Sequence, residues 1–196
     1  MIRHGQSTAN AQELLAGGGW DAELTDLGRQ QAKDTQSIFQ NLAIKPSVII
    51  HSHLIRARDT ARIINETLHL PLHEIPDVAE HNVGEWEGQP WDITRPLLDQ
   101  RIDPPGGESH VTFRNRVKRG ITHAIAHSDD PVLIVCHGGV FRGLGDLYGL
   151  RFHRIDNCVL YQFTPIDAPF PWQILRHGQD GQDHVTLDIP LKTASA

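Results

Sequence analysis

Two short apolar runs constrain the fold of this chain more than any other feature. "PSVIIHS" at 46–52 and "PVLIVCHGG" at 131–139 are β-branched, without polar alternation, and too short for helices. Such runs read as strands buried on both faces, the mark of a parallel sheet. A helical pattern follows the first: Ala57, Ala61, Ile64 and Leu68 form one stripe over residues 54–68, with Arg56, Arg58 and Arg62 off it. Another starts near Val140, after the second run. Two more helices are predicted. One spans 24–44, capped by Thr25, with Leu27, Thr35, Ile38 and Leu42 on one face. The other is capped by Ser109, with Phe113, Val117, Ile121 and Ala124 turned inward. "CVLYQFTPI" and "FPWQILRHG" read as late strands, a hairpin pair or sheet edge. Strands alternating with helices predict an α/β three-layer sandwich: a mostly parallel central sheet with helices on both faces. Residues 1–196 read as a single domain with a loose tail over 192–196.

Composition narrows the class. Lys plus Arg is 18 against 24 Asp plus Glu, a net charge of −6, which argues against a nucleic-acid partner. No apolar run approaches the roughly 20 residues a membrane-spanning helix needs, and no leader pattern is visible, so no membrane partner is expected and the expected compartment is the cytoplasm. Two cysteines, Cys136 and Cys158, make no disulfide framework. The 13 histidines show neither an HExxH nor a tight His/Cys ligand set, so no metal is expected.

In parallel sheets ligands bind beyond the carboxyl ends of the strands. That rule gathers His4, the 52–56 segment, Glu80 and His137 at one edge. The chemistry of these side chains suits phosphoryl transfer. Arginine presents a planar fork of donors that keeps its charge, so Arg3 and Arg56 can clamp a phosphate. A neutral imidazole, His4, can attack phosphorus and carry the group covalently. A carboxylic acid whose pKa is raised by burial or by the charge of a phosphate monoester in the pocket can protonate the departing alkoxide, and Glu80 is the candidate. His137 can donate to the phosphoryl oxygens. Two arginines and an imidazolium offset the charge, so neither a metal nor a cofactor is required. The tetrad Arg-His-Gly-Gln occurs twice, at residues 3–6 and 176–179. Asp180 and Asp183 follow the second copy and would repel a phosphate dianion, so that copy reads as coincidence.

The ordered motifs resemble the histidine phosphatase, or phosphoglycerate mutase-like, superfamily. "RHGQSTAN", "SHLIRARDTA", "AEHNVGEWEG", "PPGGES" with Phe113 and Arg116-Val117, and "VCHGGVFRGL" occur in the family's order over about residues 3–144. "RIDNCVLYQF" is similar to its late Asn-Cys strand. The resemblance implies that His4 becomes phosphohistidine, that Arg3, Arg56 and His137 hold the phosphoryl group, and that Glu80 is the general acid and later the base for water. It also implies that Ser7 and Asn10 reach toward the phosphate and that the Gly138 N–H adds a donor. Only Met1 and Ile2 precede Arg3, so the first strand is expected to be truncated. Glu85 and Glu87 compete with Glu80; Glu87 reads as a loop-bonding residue and Glu108 as a helix-start residue favoured by the dipole. The four tryptophans read as packing residues, with Trp86 or Trp91 a candidate for the substrate side. Short length and the "GEWEG" form resemble the phosphatase branch. The expected activity is metal-independent hydrolysis of small phosphorylated metabolites, with a homodimer left open. The alternatives are a phosphoglycerate mutase, a non-catalytic phosphate-binding domain, and, third, a protein-directed phosphohistidine phosphatase.

Overall fold

The computed structural model describes residues 1–149, 151–152, 154–166, 172–178 and 181–184. In chain order the first half holds β1 (Ile2–Arg3), α1 (Thr8–Ala11), α2 (Asp26–Asn41), β2 (Val48–His51), α3 (Ile55–Leu68) and β3 (Leu72–Glu74). Two 3-10 turns, Pro76–Val78 and Gly84–Trp86, lead into α4 (Trp91–Asp99) and α5 (His110–Ile125). Then come β4 (Val132–Cys136), α6 (Gly138–Tyr148), β5 (Leu160–Pro165), β6 (Trp172–Gly178) and β7 (Gly181–His184).

The two apolar runs are β2 and β4, side by side and parallel, with Val48 opposite Val132 and His51 opposite Val135. β3 and β1 extend this parallel half on either side, and β5, β6 and β7 continue antiparallel beyond β1, giving the order β3-β2-β4-β1-β5-β6-β7. The period of two along the strands divides the core. Ile49, Leu133 and Val135 face Phe39 of α2 and Ala57, Ala61 and Ile64 of α3. Val48, Ile50, Ile134 and Cys136 face Phe113 and Val117 of α5 and Phe141 of α6. Helices therefore cover both faces, and the expected α/β sandwich is the fold found. Cys136 and Cys158 are free and buried. Among the described residues no helix is long and apolar enough to cross a membrane.

The Thr25 and Ser109 caps form as expected, accepting from Gly28 N at 3.0 Å and Thr112 N at 3.2 Å. The face of α2 is displaced from the expected stripe: Gly28, Ala32, Thr35 and Phe39 are buried, whereas Leu27 is 53% exposed. The cause is a backbone contact. Gly28 packs directly on Gly5 and Gln6, and a Cβ at either glycine would overlap the other segment's backbone. That contact sets the rotation of α2 and takes Leu27 off the core. α4 carries Pro90 at its N-cap, where a helix start tolerates proline, and Pro96 inside it, where proline argues locally against a helix. The tail at 192–196 lies outside the described residues.

β1 is two residues long, and its backbone is held from both sides. His4 N donates to Cys136 O at 3.0 Å, while Cys158 N donates to Arg3 O at 2.9 Å. Asn157 Nδ2 donates to His4 O at 2.7 Å, and Gly5 N to Thr60 Oγ1 at 3.0 Å. The late Asn-Cys segment thus fixes the residue pair that begins the site.

Candidate active site

His4 leaves β1 where the strand ends, and His137 leaves β4, its parallel neighbour, at the same edge. Their rings lie 5.1 Å apart between centroids, and both side chains are buried. His4 Nδ1 lies 2.7 Å from Gly5 O. A carbonyl only accepts, so Nδ1 carries the proton and Nε2 presents its lone pair. Burial, with Arg56 and Arg3 nearby, holds the His4 pKa well below its ordinary 6.5. The imidazole is therefore neutral at physiological pH, as a nucleophile must be. His137 shares a 2.6 Å hydrogen bond between Nε2 and Ser52 Oγ, and its Nδ1 is buried without a partner. Burial, Arg56 and His4 likewise push its pKa well below 6.5.

Cations surround this pair. Arg56, on the first turn of α3, is 1% exposed; its guanidinium donates to Gly17 O at 2.7 Å and Trp20 O at 3.1 Å. Arg3 donates from Nη1 to Ile155 O at 2.8 Å, and its Nε is buried without a partner. Two buried orphan polar atoms, Arg3 Nε and His137 Nδ1, thus belong to residues flanking His4. Buried polar groups are otherwise almost always paired, so these two mark a place for an acceptor-rich ligand. The N-terminus of α6, capped by His137, opens at the same place, and helix N-termini favour anions. The Cβ direction of Gly138 points at Arg3 Nε, 3.7 Å away.

Glu80 stands across from this group on the loop after the first 3-10 turn. Its carboxylate accepts from its neighbour His81 N at 2.8 Å and from Gly139 N at 3.0 Å. A Cβ on Gly139 would overlap that carboxylate, so the second glycine after His137 is required for the approach. Arg116 holds the loop from below, donating to the carbonyls of Asp77, Ala79 and Glu80, each at 3.0 Å. Glu108 clasps Arg116 at 2.9 and 2.7 Å. Glu108 is thus a brace for the Glu80 loop, a role beyond the helix-start part read from sequence. Glu87 bonds Gly19 N at 2.7 Å as expected of a loop-bonding residue, and Glu85 is exposed.

The expected raised pKa of Glu80 is not what this arrangement gives. Burial raises it, but Arg142, the N–H groups of His81 and Gly139, and Arg56 together outweigh burial and leave it below its ordinary 4.5. Ser7 and Asn10 also differ from the simplest expectation. They form a capping box at the start of α1: Asn10 N donates to Ser7 Oγ and Ser7 N to Asn10 Oδ1, both at 3.2 Å. Asn10 Nδ2 takes no part in the box. The second Arg-His-Gly-Gln lies elsewhere. Arg176 and His177 are in β6, two strands from β1, and His177 Nε2 shares a 3.0 Å hydrogen bond with Gln162 Oε1. Gln179 and Asp180 lie outside the described residues.

The family model of the histidine phosphatase superfamily, branch 1, matches residues 1–166. The chain belongs to the histidine phosphatase superfamily. It is similar to a glucosyl-3-phosphoglycerate phosphatase of Mycolicibacterium vanbaalenii, 32% identical over 161 residues, covering 74% of this chain and 70% of the relative. It is similar to the adenosylcobalamin/alpha-ribazole phosphatase of Salmonella typhimurium at 32% identity over 151 residues, covering 71% and 73%. Among solved structures, a mycobacterial glucosyl-3-phosphoglycerate phosphatase complexed with VO3 superimposes with a TM-score of 0.74 at 26% identity, covering 89% of this chain and 95% of that one.

In this histidine phosphatase the buried neutral imidazoles carry a stability signature. His4 and His137 have folded-state pKa values below 6.5, so below that pH the unfolded chain binds more protons than the folded one. Stability is complete above about pH 6.5 and falls as the pH drops, each imidazole adding up to about 1.4 kcal/mol per pH unit. Urea unfolding between pH 7.5 and 5.5 should show this loss, and a His4→Gln/His137→Gln double variant should have a shallower slope. His81 and His177, also shifted down by burial, account for part of what remains. An unchanged slope in the double variant would assign the acid sensitivity to other groups.

Proposed function

We propose that this enzyme hydrolyses phosphate monoesters of small metabolites without a metal, through a phosphohistidine on His4. The observation that carries the reading is the fixed tautomer of His4, with Nδ1 spent on Gly5 O, inside a ring of Arg3, Arg56 and His137 that leaves two buried polar atoms unpaired. The phosphoryl oxygens take those positions and the Gly138 N–H at the start of α6. His4 Nε2 attacks phosphorus in line, the P–Nε2 bond forms, and the ester P–O bond breaks. The alkoxide takes a proton from the Glu80 carboxyl. Water then attacks the phosphohistidine, gives its proton to Glu80, and releases phosphate and neutral His4.

Glu80 must be protonated for the first step although its pKa is depressed in the free enzyme. A phosphate dianion arriving beside it offsets the field of Arg142 and Arg56, raises the carboxyl pKa, and draws a proton in with the substrate. The two arginines supply the positive charge that the transferring group needs. The test is hydrolysis of p-nitrophenyl phosphate by enzyme purified and assayed in chelator. Undiminished turnover is expected; activity that vanishes in chelator and returns with a divalent cation would overturn the metal-free reading.

A further inference from the structure

We propose that Ser52 is a positioning residue for phosphoryl transfer: its hydroxyl donates to His137 Nε2 and so holds the ring proton on Nδ1, where it meets a phosphoryl oxygen. This rests on the phosphatase reading above and deepens the part that His137 has in it. Ser52 opens the "SHLIRARDTA" motif, of which only Arg56 enters the phosphoryl cradle itself.

The sheet brings the pair together. Ser52 follows β2 and His137 follows β4, parallel neighbours whose register sets His51 opposite Val135. Both side chains are fully buried, and 2.6 Å separates Ser52 Oγ from His137 Nε2. His51 Nδ1 donates to Ser52 O at 2.9 Å, and Ile75 N donates to His51 O at 2.9 Å, so the backbone that carries the hydroxyl is fixed.

Either atom of the pair can supply the proton between them, and the surroundings decide which does. A neutral imidazole has one N–H and one lone pair, and burial beside Arg56 and His4 keeps His137 neutral. If Nε2 donated, the Ser52 proton would need an acceptor elsewhere. Among the described residues that hydroxyl has no other hydrogen-bond partner. Nδ1 would also turn a lone pair toward the phosphoryl oxygens, acceptor against acceptor. Two buried groups would then go unsatisfied. With the hydroxyl donating, the one group of the pair left unpaired is the Nδ1–H, and an arriving anion satisfies it. His4 is set in a complementary way, with its Nδ1 spent on Gly5 O. Both rings carry the proton on Nδ1 yet turn opposite nitrogens to the ligand. His4 offers phosphorus a lone pair; His137, 5.1 Å away between centroids, offers an oxygen its N–H.

The direct test is the tautomer of His137 in wild-type enzyme saturated with inorganic phosphate, read by nitrogen NMR of isotope-labelled histidine side chains. The resonances missing from His137→Gln identify the ring. A proton on Nδ1 alone is the expected result; a proton on Nε2 would overturn the proposal. In Ser52→Ala, kcat/KM should fall by about 10- to 100-fold, the scale of one hydrogen bond to a charged group, and inhibition by phosphate should weaken by a similar factor. The loss should be equal for alkyl and dinitrophenyl phosphates, because it acts on the phosphoryl group and not on the leaving group. Ser52→Thr, which keeps the hydroxyl, should retain most of the activity. Adding Ser52→Ala to His137→Ala should cost nothing further, since the two residues act as a unit. Full additivity in that double variant would leave Ser52 a packing residue and overturn the proposal. The wild-type spectrum needs no substitution at Ser52, so a variant that folds badly does not decide the matter. An Nε2-protonated His137 in an enzyme that hydrolyses p-nitrophenyl phosphate removes the Ser52 role and leaves the phosphatase reading standing. A proton on Nδ1 in an enzyme that hydrolyses no ester removes the phosphatase reading instead.

Discussion

Replacing His4 with alanine is expected to abolish turnover, with kcat/KM falling by roughly 10,000-fold or more, the scale seen when a covalent nucleophile is removed. The residue has no substitute in reach. His137 is the neighbouring imidazole, but its Nε2 is engaged with Ser52, and the proposed mechanism gives it the phosphoryl oxygens to hold. His177, the histidine of the echoed tetrad, is two strands away in β6. The backbone around His4 is fixed by Cys136, Cys158, Asn157 and Thr60, so the variant should fold and still bind a phosphate ion between Arg3 and Arg56. Steady-state assays beside a circular dichroism spectrum and an inorganic-phosphate titration decide the matter. A folded, phosphate-binding variant with wild-type turnover would remove His4 from the mechanism.

Replacing Glu80 with glutamine is expected to split substrates by leaving group. An alkyl phosphate loses its proton donor and should slow by roughly 100- to 10,000-fold, the usual contribution of a general acid. An ester of a strongly acidic alcohol, such as dinitrophenyl phosphate, leaves without help and should lose little in the phosphorylation step. Dephosphorylation still needs the base, so phosphoenzyme should accumulate with the second ester and appear as a burst of released phenol. Proton uptake adds a second readout. Vanadate binding, measured by calorimetry in buffers of different ionisation enthalpy, should draw about one proton into wild type and none into the glutamine variant. Equal slowing on both esters, with no burst and unchanged proton uptake, would show that Glu80 does something other than move the leaving-group proton.

Much of this architecture was legible in the chain because its signals are local. β2 and β4 are continuous apolar runs, and Thr25 and Ser109 precede their helices with the hydroxyl that an N-cap needs. The clustering of His4, Arg56, Glu80 and His137 followed from one rule about parallel strands. What the sequence hid depends on meetings between distant segments. The buried face of α2 is set by Gly28 against Gly5 and Gln6, a backbone contact with no hydrophobic signature. α4 forms in spite of Pro96, where Trp91 and Leu98 pack into the cluster of Leu15 and Val83. The depressed pKa of Glu80 comes first from Arg142, 62 positions further along the sequence, and then from the His81 and Gly139 N–H groups and Arg56. Glu108 gave a local dipole signal, while its partner Arg116 and the carbonyls they brace became visible only in the fold.

The central claim is a covalent phosphoryl group on one named nitrogen. The measurement that tests it most directly is rapid quenching of turnover into alkali, where phosphohistidine survives, followed by mass spectrometry of the digested chain. A phosphoryl group on the peptide containing residues 3–6, on His4 and lost on acid treatment, is the predicted result. A quenched enzyme without phosphopeptide during active turnover, or with the group on His137 or His177, would contradict the account.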